Sequence, residues 1–139
     1  MTDEATRALV RELYDAYARG DGERFAPLIA DDIDWIIHGP VQVFPFVGPR
    51  RGKQDVLATL ASIAKDYALE RYEPDIIIVE NDRAAVSSNV AFVQRTTGRT
   101  LSFRNANFLR FQGGRVVEFR EFFDTFDAVE QALGHWLDV

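Results

Sequence analysis

Three polar residues fall on strand faces that are otherwise apolar. Asn105 and Asn107 alternate with leucine and phenylalanine side chains in one predicted strand, and Glu121 alternates with Phe119 and Phe123 in the next. Because successive side chains of a strand point to opposite faces, each of the three shares the face that packs against the core. We therefore expect two amides and one carboxyl group to lie inside the protein.

These inward groups could carry out acid–base chemistry. Desolvation inside an apolar site raises the pKa of a carboxyl group, which suits Glu121 to give or take a proton. The amides of Asn105 and Asn107 could donate hydrogen bonds to a developing oxyanion, although they cannot supply a proton. Two structural explanations remain open: the asparagines satisfy each other or a water, and Glu121 forms an ion pair with an arginine on the next strand.

His38 is a candidate general base. It ends the run Ile33–His38, which is rich in β-branched and aromatic residues and predicts a strand. An imidazole titrates near neutral pH and so suits proton transfer, but it could equally hydrogen-bond a loop carbonyl at the strand end. Asp124 follows the last predicted strand. It fits a capping carboxylate at a strand-to-helix turn and is kept as a secondary catalytic candidate.

Aromatic residues supply the rest of a predicted pocket. Buried rings stack on flat apolar molecules, so such a pocket would bind a hydrophobic small-molecule ligand. The segment 39–52 contains glycines and prolines that predict a loop, but its many apolar side chains indicate that it covers something hydrophobic. Besides Asn105, the residues expected to contact a substrate are Tyr17, Trp35, Phe44, Phe46, Phe103, Phe119 and Phe123.

Helical patterns fill most of the first half of the chain. Apolar residues at intervals of four predict a helix over residues 3–19. Phe25, Leu28 and Ile29 mark the apolar face of a short second helix, and a third helix is predicted over residues 53–68.

Strand patterns fill the second half. Strands are predicted over residues 72–80, 84–95, 100–112 and 115–124, followed by a short closing helix over residues 127–137. Short turns between the strands, such as Gly113-Gly114, indicate an antiparallel meander, and long strands in a meander curl. Helices followed by strands predict a single α+β domain over residues 1–139. A curled sheet with helices across its concave side would leave a cavity at its open end.

Composition narrows the range of functions. The chain has no cysteine and only two histidines, so thiolate chemistry is excluded and no metal site is expected. A net charge of −6 disfavours nucleic acid and anionic membrane surfaces as partners. The acidic N-terminus lacks the pattern of a signal peptide, and no apolar stretch approaches membrane-spanning length, which predicts a cytoplasmic protein.

The motifs together resemble the nuclear-transport-factor-2-like superfamily, in particular its SnoaL-like and ketosteroid-isomerase-like members, over nearly the whole chain. The segments that carry the resemblance are YDAYARGD (14–21), DDIDW (31–35), HGP (38–40) with Gly48 and Gly52, FQGGRVV (111–117) and REFFD (120–124). The resemblance implies a cone-shaped fold, in which a curved, mostly antiparallel sheet wraps around the N-terminal helices and encloses one internal pocket. It leaves the function open, because the superfamily includes isomerases, epoxide hydrolases, polyketide cyclases, dehydratases and binding proteins.

The resemblance also implies roles for individual residues. Ketosteroid-isomerase-like members place an aspartate base near the position of His38 and an oxyanion-binding acid near Asn107. They also use a tyrosine of the first helix, for which Tyr17 is preferred to Tyr14 because it lies on the same stripe as Leu13.

Epoxide-hydrolysing members place an acid near the position of Glu121. They combine it with an arginine and a second aspartate on the strand that corresponds to residues 84–95. That strand offers serines and one asparagine here and no acid, so the set is incomplete and epoxide hydrolysis is the least favoured activity.

The first hypothesis is therefore a cofactor-free proton-transfer enzyme of the isomerase, cyclase or dehydratase type, acting on a hydrophobic carbonyl compound. His38 would be the base, the two asparagines would hold the oxygen, and Glu121 would relay the proton. A non-catalytic ligand-binding domain is the alternative. We also expect a homodimer through the outer sheet face, where Phe108 and Phe122 would form an apolar patch.

Overall fold

A computed structural model describes residues 1–139 and contains four α-helices and six strands. The helices are α1 (Asp3–Ala18), α2 (Gly22–Phe25), α3 (Lys53–Asp66) and α4 (Thr125–Leu133), and a 3-10 turn, Ala26–Leu28, follows α2. The strands are β1 (Ile29–Ile37), β2 (Gly48–Arg51), β3 (Tyr67–Glu80), β4 (Arg83–Gln94), β5 (Thr100–Gln112) and β6 (Arg115–Phe123). None of the helices is long and apolar enough to span a membrane.

The strands form one curved, unclosed sheet in the order β2-β1-β6-β5-β4-β3. The meander β3 to β6 is antiparallel, and β1 joins it by pairing parallel to β6. Helix α1 packs against β3 and β4, and α3 packs against β1, β2 and β3. This arrangement confirms the predicted α+β fold.

Helix α1 begins and ends where its sequence predicts. The Thr2 hydroxyl accepts a hydrogen bond from the backbone N–H of Ala5 at 3.1 Å, and two acidic residues occupy the first turn, where the helix dipole favours negative charge. Gly20 follows the helix at φ +66°, a conformation that glycine adopts without strain. The buried side of α1 includes Val10, Leu13 and Tyr14, which turns a tyrosine hydroxyl toward the sheet.

Three strands differ from the prediction: β1 and β3 begin earlier than expected, and β2 was not predicted. Ile29, expected on the second helix, begins β1, and β3 begins at Tyr67 rather than residue 72. The predicted loop contains β2, in which Arg50 pairs with Trp35 of β1. In each case the extra strand residues are defined by their pairing with another strand, for which local propensity gives no signal.

The predicted alternation places the polar residues of β5 and β6 inside. Asn105 and Asn107 are buried, 4% and 0% exposed, together with the leucines on the same face of β5. A bulge in the β5–β6 pairing shifts the register near the start of β6, so that Val116 points inward in place of Val117. The expected alternation resumes at Phe119, which leaves Glu121 on the inner face.

Candidate functional site

A cavity of about 90 Å³ lies between the concave face of the sheet and helices α1, α2 and α3. Of the 23 residues that line it, 20 are hydrophobic or tyrosine. The other three are Asn105, Asn107 and Glu121. The inward polar residues that stand out in the sequence are therefore the same ones that give this apolar cavity its polar character.

Cross-strand pairing brings the three together. Asn107 lies directly opposite Glu121 in the β5–β6 ladder, and Asn105 is the next inward residue along β5. Glu121 Oε1 accepts hydrogen bonds from Asn107 Nδ2 at 3.0 Å and from Asn105 Nδ2 at 3.1 Å. The two amides thus act on the carboxyl group and fix its orientation.

Two tyrosines complete this network. Asn107 Oδ1 accepts from the hydroxyl of Tyr14 on α1 at 2.6 Å and from that of Tyr72 on β3 at 3.2 Å. Asn105 Nδ2 also donates to the Tyr72 hydroxyl oxygen at 2.7 Å. We call Tyr14, Tyr72, Asn105, Asn107 and Glu121 the polar cluster. The cluster satisfies both polar atoms of Asn107 and the nitrogen of Asn105, whereas Asn105 Oδ1 is buried without a hydrogen-bond partner, and the two asparagines do not bond to each other.

Glu121 is a buried carboxyl group without a cationic partner. No lysine or arginine nitrogen lies within 4.0 Å of it, so the expected alternative of an ion pair is wrong. Burial raises its pKa from 4.5 to about 7, and the hydrogen bond from Asn107 partly opposes that rise. Its second oxygen, Oε2, has no hydrogen-bond partner in the protein, and Glu121 belongs to the cavity wall. Glu121 can therefore present either a carboxylate oxygen or an acidic proton to the cavity.

The hydroxyl of Tyr17 also has no hydrogen-bond partner in the protein, as is true of Trp35 Nε1 and Asn105 Oδ1 in the same cavity wall. The Tyr17 ring lies in the cavity wall, packed edge-on to Tyr72 at 5.4 Å between centroids and against Phe25 at 5.8 Å. Burial and the nearby charge of Glu121 raise the pKa of the Tyr17 hydroxyl well above the usual value. Tyr17 therefore stays protonated and is a hydrogen-bond donor.

Two predicted catalytic candidates lie away from the cavity. His38 is exposed on the outer face of the sheet, where its ring stacks on Phe122 at 4.6 Å. The prediction that His38 acts beside Glu121 is therefore wrong; the neighbouring Ile37 faces inward, and strand alternation then turns the next residue outward. Asp124 caps α4 by accepting a hydrogen bond from the backbone N–H of Asp127 at 3.1 Å, which confirms the capping role expected from the sequence.

The expected aromatic residues are all in the cavity wall, and Trp35 stacks on Phe119 at 3.9 Å between centroids. Two partners of the polar cluster were not found from the sequence: Tyr72 was not considered, and Tyr17 was preferred to Tyr14. The stripe on α1 marks both tyrosines as inward-facing, but which hydroxyl meets Asn107 depends on how α1 lies on the sheet. No local pattern in the sequence indicates that Tyr72 belongs to the polar cluster.

The model of the SnoaL-like domain family matches residues 10–119, so this chain belongs to that family. It is 38% identical to a Rhodopseudomonas palustris protein provisionally named an isomerase; the two structures superpose with a TM-score of 0.84 over 97% of this chain and 100% of that one. An NTF2-like protein from Burkholderia xenovorans, 23% identical, has a TM-score of 0.82 over 95% and 98% of the two chains and shows the same fold. The uncharacterized protein Rv0034 of Mycobacterium tuberculosis is 28% identical over 125 residues, 88% of this chain and 92% of its own.

Proposed function

We propose that the cavity binds a neutral hydrophobic carbonyl compound and that Glu121 transfers a proton on it, in an isomerase, cyclase or dehydratase type of reaction. The observation that carries this proposal is the Glu121 carboxyl group itself. One oxygen is held by two amides, the other is free toward the cavity, and the pKa of about 7 makes both protonation states available near neutral pH.

The proposed chemistry uses Glu121 Oε2 and the Tyr17 hydroxyl, neither of which has a hydrogen-bond partner in the protein. The ionised Glu121 Oε2 removes a proton from a carbon next to the ligand carbonyl, and the electron pair moves onto the carbonyl oxygen to form an enolate. The neutral hydroxyl of Tyr17 donates a hydrogen bond to a ligand oxygen and so stabilises the developing charge. The acidic proton of Glu121 exchanges with solvent, and the carboxyl group then returns a proton to a carbon of the enolate, so that solvent hydrogen enters the ligand. The asparagines act by holding the carboxyl group in place, a different role from the oxyanion binding expected from the sequence.

Two further features agree with this proposal. The relative from Rhodopseudomonas palustris carries a provisional isomerase name. The cavity wall contains one carboxyl group and no arginine, so the additional acid and arginine expected for epoxide hydrolysis are not there.

A non-catalytic binding domain is the second candidate. It is favoured by the extent to which the polar cluster satisfies itself: Asn107 uses both its oxygen and its nitrogen within the protein, and the hydroxyls of Tyr14 and Tyr72 are also engaged. Under this alternative, Glu121 and Tyr17 would only hydrogen-bond a ligand.

Exchange of ketone protons tests the proposal directly. A panel of neutral cyclic hydrophobic ketones is incubated with the protein in heavy water, and loss of the protons next to the carbonyl is followed by NMR. We expect exchange to be catalysed and to fall by about 10²-fold or more in Glu121→Gln, the range for loss of a general base. The matched control is Glu118→Gln, because Glu118 lies on the same strand but 3.9 Å from Arg110, outside the cavity wall.

Three results would decide between the candidates. Full exchange activity in Glu121→Gln, or an equal loss in Glu118→Gln, contradicts the role of Glu121. Ketones that bind, as seen by a rise in the unfolding temperature, but show no catalysed exchange favour the binding domain.

A further inference from the structure

Six aromatic side chains form a closed ring at one end of the cavity. Each ring contacts the next, and the last contacts the first, with centroid separations between 5.3 and 6.3 Å. In order around the ring, they are Phe44, Phe46, Tyr67, Phe92, Phe103 and Phe123. We call this set the aromatic collar. All six belong to the cavity wall.

Strand direction places all members of the collar at the same end of the sheet. Its members lie at the start of β3, near the end of β4, near the start of β5 and at the end of β6, which coincide because these strands are antiparallel. The segment 38–47 leaves the end of β1, which runs parallel to β6, and so arrives at the same edge. Glu121 lies two residues inward of Phe123, and Asn105 lies two residues inward of Phe103. The polar cluster is therefore behind the collar.

The cavity is too small to accept a ligand without movement. Its volume is about 90 Å³, whereas small-molecule sites commonly measure about 300 Å³ or more. Four collar members are in strands, where ladder hydrogen bonds fix the backbone. The other two, Phe44 and Phe46, are in the segment between β1 and β2. Phe44 is 2% exposed and part of the core, but Phe46 is only half-buried, so Phe46 is the member that can move.

Arg50 holds the backbone on both sides of Phe46. Its guanidinium donates to the carbonyl oxygen of Pro45 at 3.2 Å and to that of Val47 at 3.3 Å. The same side chain donates from Nε to the Thr59 hydroxyl oxygen on α3 at 3.0 Å. One side chain thus ties the segment that carries Phe46 to a helix of the cavity wall.

We propose that the aromatic collar is the gated entrance of the cavity, with Phe46 as the gate and Arg50 as the latch that holds it closed. Passage between aromatic faces favours flat, uncharged ring compounds over branched or anionic ones, so the collar contributes to ligand selection as well as to closure. This inference rests on the proposed function only in taking the cavity as the ligand site; it does not depend on Glu121 as a catalyst.

The absence of cysteine allows a test without any substrate. Val116→Cys places a single thiol at a buried position of the cavity wall, on the strand of Glu121 but farther from the collar. The rate of its reaction with N-ethylmaleimide and with the flat, bulky N-(1-pyrenyl)maleimide then reports entry. We expect Phe46→Ala and Arg50→Lys, each in the Val116→Cys background, to raise both rates by about tenfold or more, because each weakens local closure. The reaction rate of the larger maleimide should rise by the larger factor.

Two controls separate gating from loss of folding. Phe126→Ala removes a phenylalanine that is 49% exposed on α4, outside the collar, and should leave both rates unchanged. Phe46→Leu preserves apolar packing but not the ring, and should accelerate entry without a matching fall in the denaturant midpoint. Unchanged rates in Phe46→Leu and Arg50→Lys, or an equal increase in Phe126→Ala, would overturn the proposal. Because no substrate is used, loss of ketone exchange in Glu121→Gln has no bearing on this result.

Discussion

Glu121 should make the free energy of unfolding depend on pH in a way that Glu121→Gln does not share. Burial in the folded protein raises the pKa of this carboxyl from 4.5 to about 7. Unfolding returns the group to water and to its ordinary value. At pH values between the two, the folded state holds a proton that the unfolded state has released, so rising pH favours unfolding.

The size of the effect follows from the shift. About 2.5 pKa units, at about 1.4 kcal/mol per unit, amount to about 3 kcal/mol. This contribution to stability is fully present below the unfolded value of 4.5 and is lost as the pH rises through about 7, the value in the folded protein. A glutamine has nearly the same shape, accepts the same two amide hydrogen bonds and does not ionise.

The free energy of unfolding is measured with urea for the wild type, Glu121→Gln and Glu118→Gln, from about pH 5 to about pH 8.5. The difference between the wild type and Glu121→Gln isolates the contribution of Glu121, because all other titrating groups contribute equally and cancel. We expect Glu121→Gln to gain about 3 kcal/mol relative to the wild type across the series. The Glu118→Gln profile should follow the wild type, because Glu118 is a half-exposed residue near Arg110. Parallel profiles for the wild type and Glu121→Gln would refute the assignment of a buried, unpaired carboxyl group.

Two further changes test neighbouring features. Asn107→Leu removes a hydrogen bond that lowers the pKa of Glu121. NMR titration of the Glu121 carboxyl carbon should therefore give a pKa above that of the wild type. An unchanged or lower pKa would contradict the hydrogen-bond network. We also propose that the outer sheet face joins two copies of the chain, because Phe108 and Phe122, 51% and 48% exposed, form an apolar patch there. Light scattering should give a dimer mass for the wild type and a monomer mass for Phe108→Lys; a monomeric wild type would contradict this interface.

The sequence by itself determined which residues point inward on the two central strands. Alternation is a local property with a period of two residues, so the apolar neighbours of Asn105, Asn107 and Glu121 are enough to assign their face. The assignment failed only near the start of β6, where a bulge puts Val116 inside in place of Val117. The antiparallel meander and the order of elements were also readable, because short turns force neighbouring strands to pair.

Only the tertiary structure decided what these residues do together. The hydrogen bond between Tyr14 and Asn107 joins residues 93 positions apart, and its formation depends on how α1 lies across the sheet. The pairing of β1 with β6 likewise brings the segment with Phe46 to the same end of the sheet as the rest of the aromatic collar. A local pattern specifies the face of a side chain, but register and packing between distant segments choose its partners, and here they make Glu121 the buried acid of the cavity.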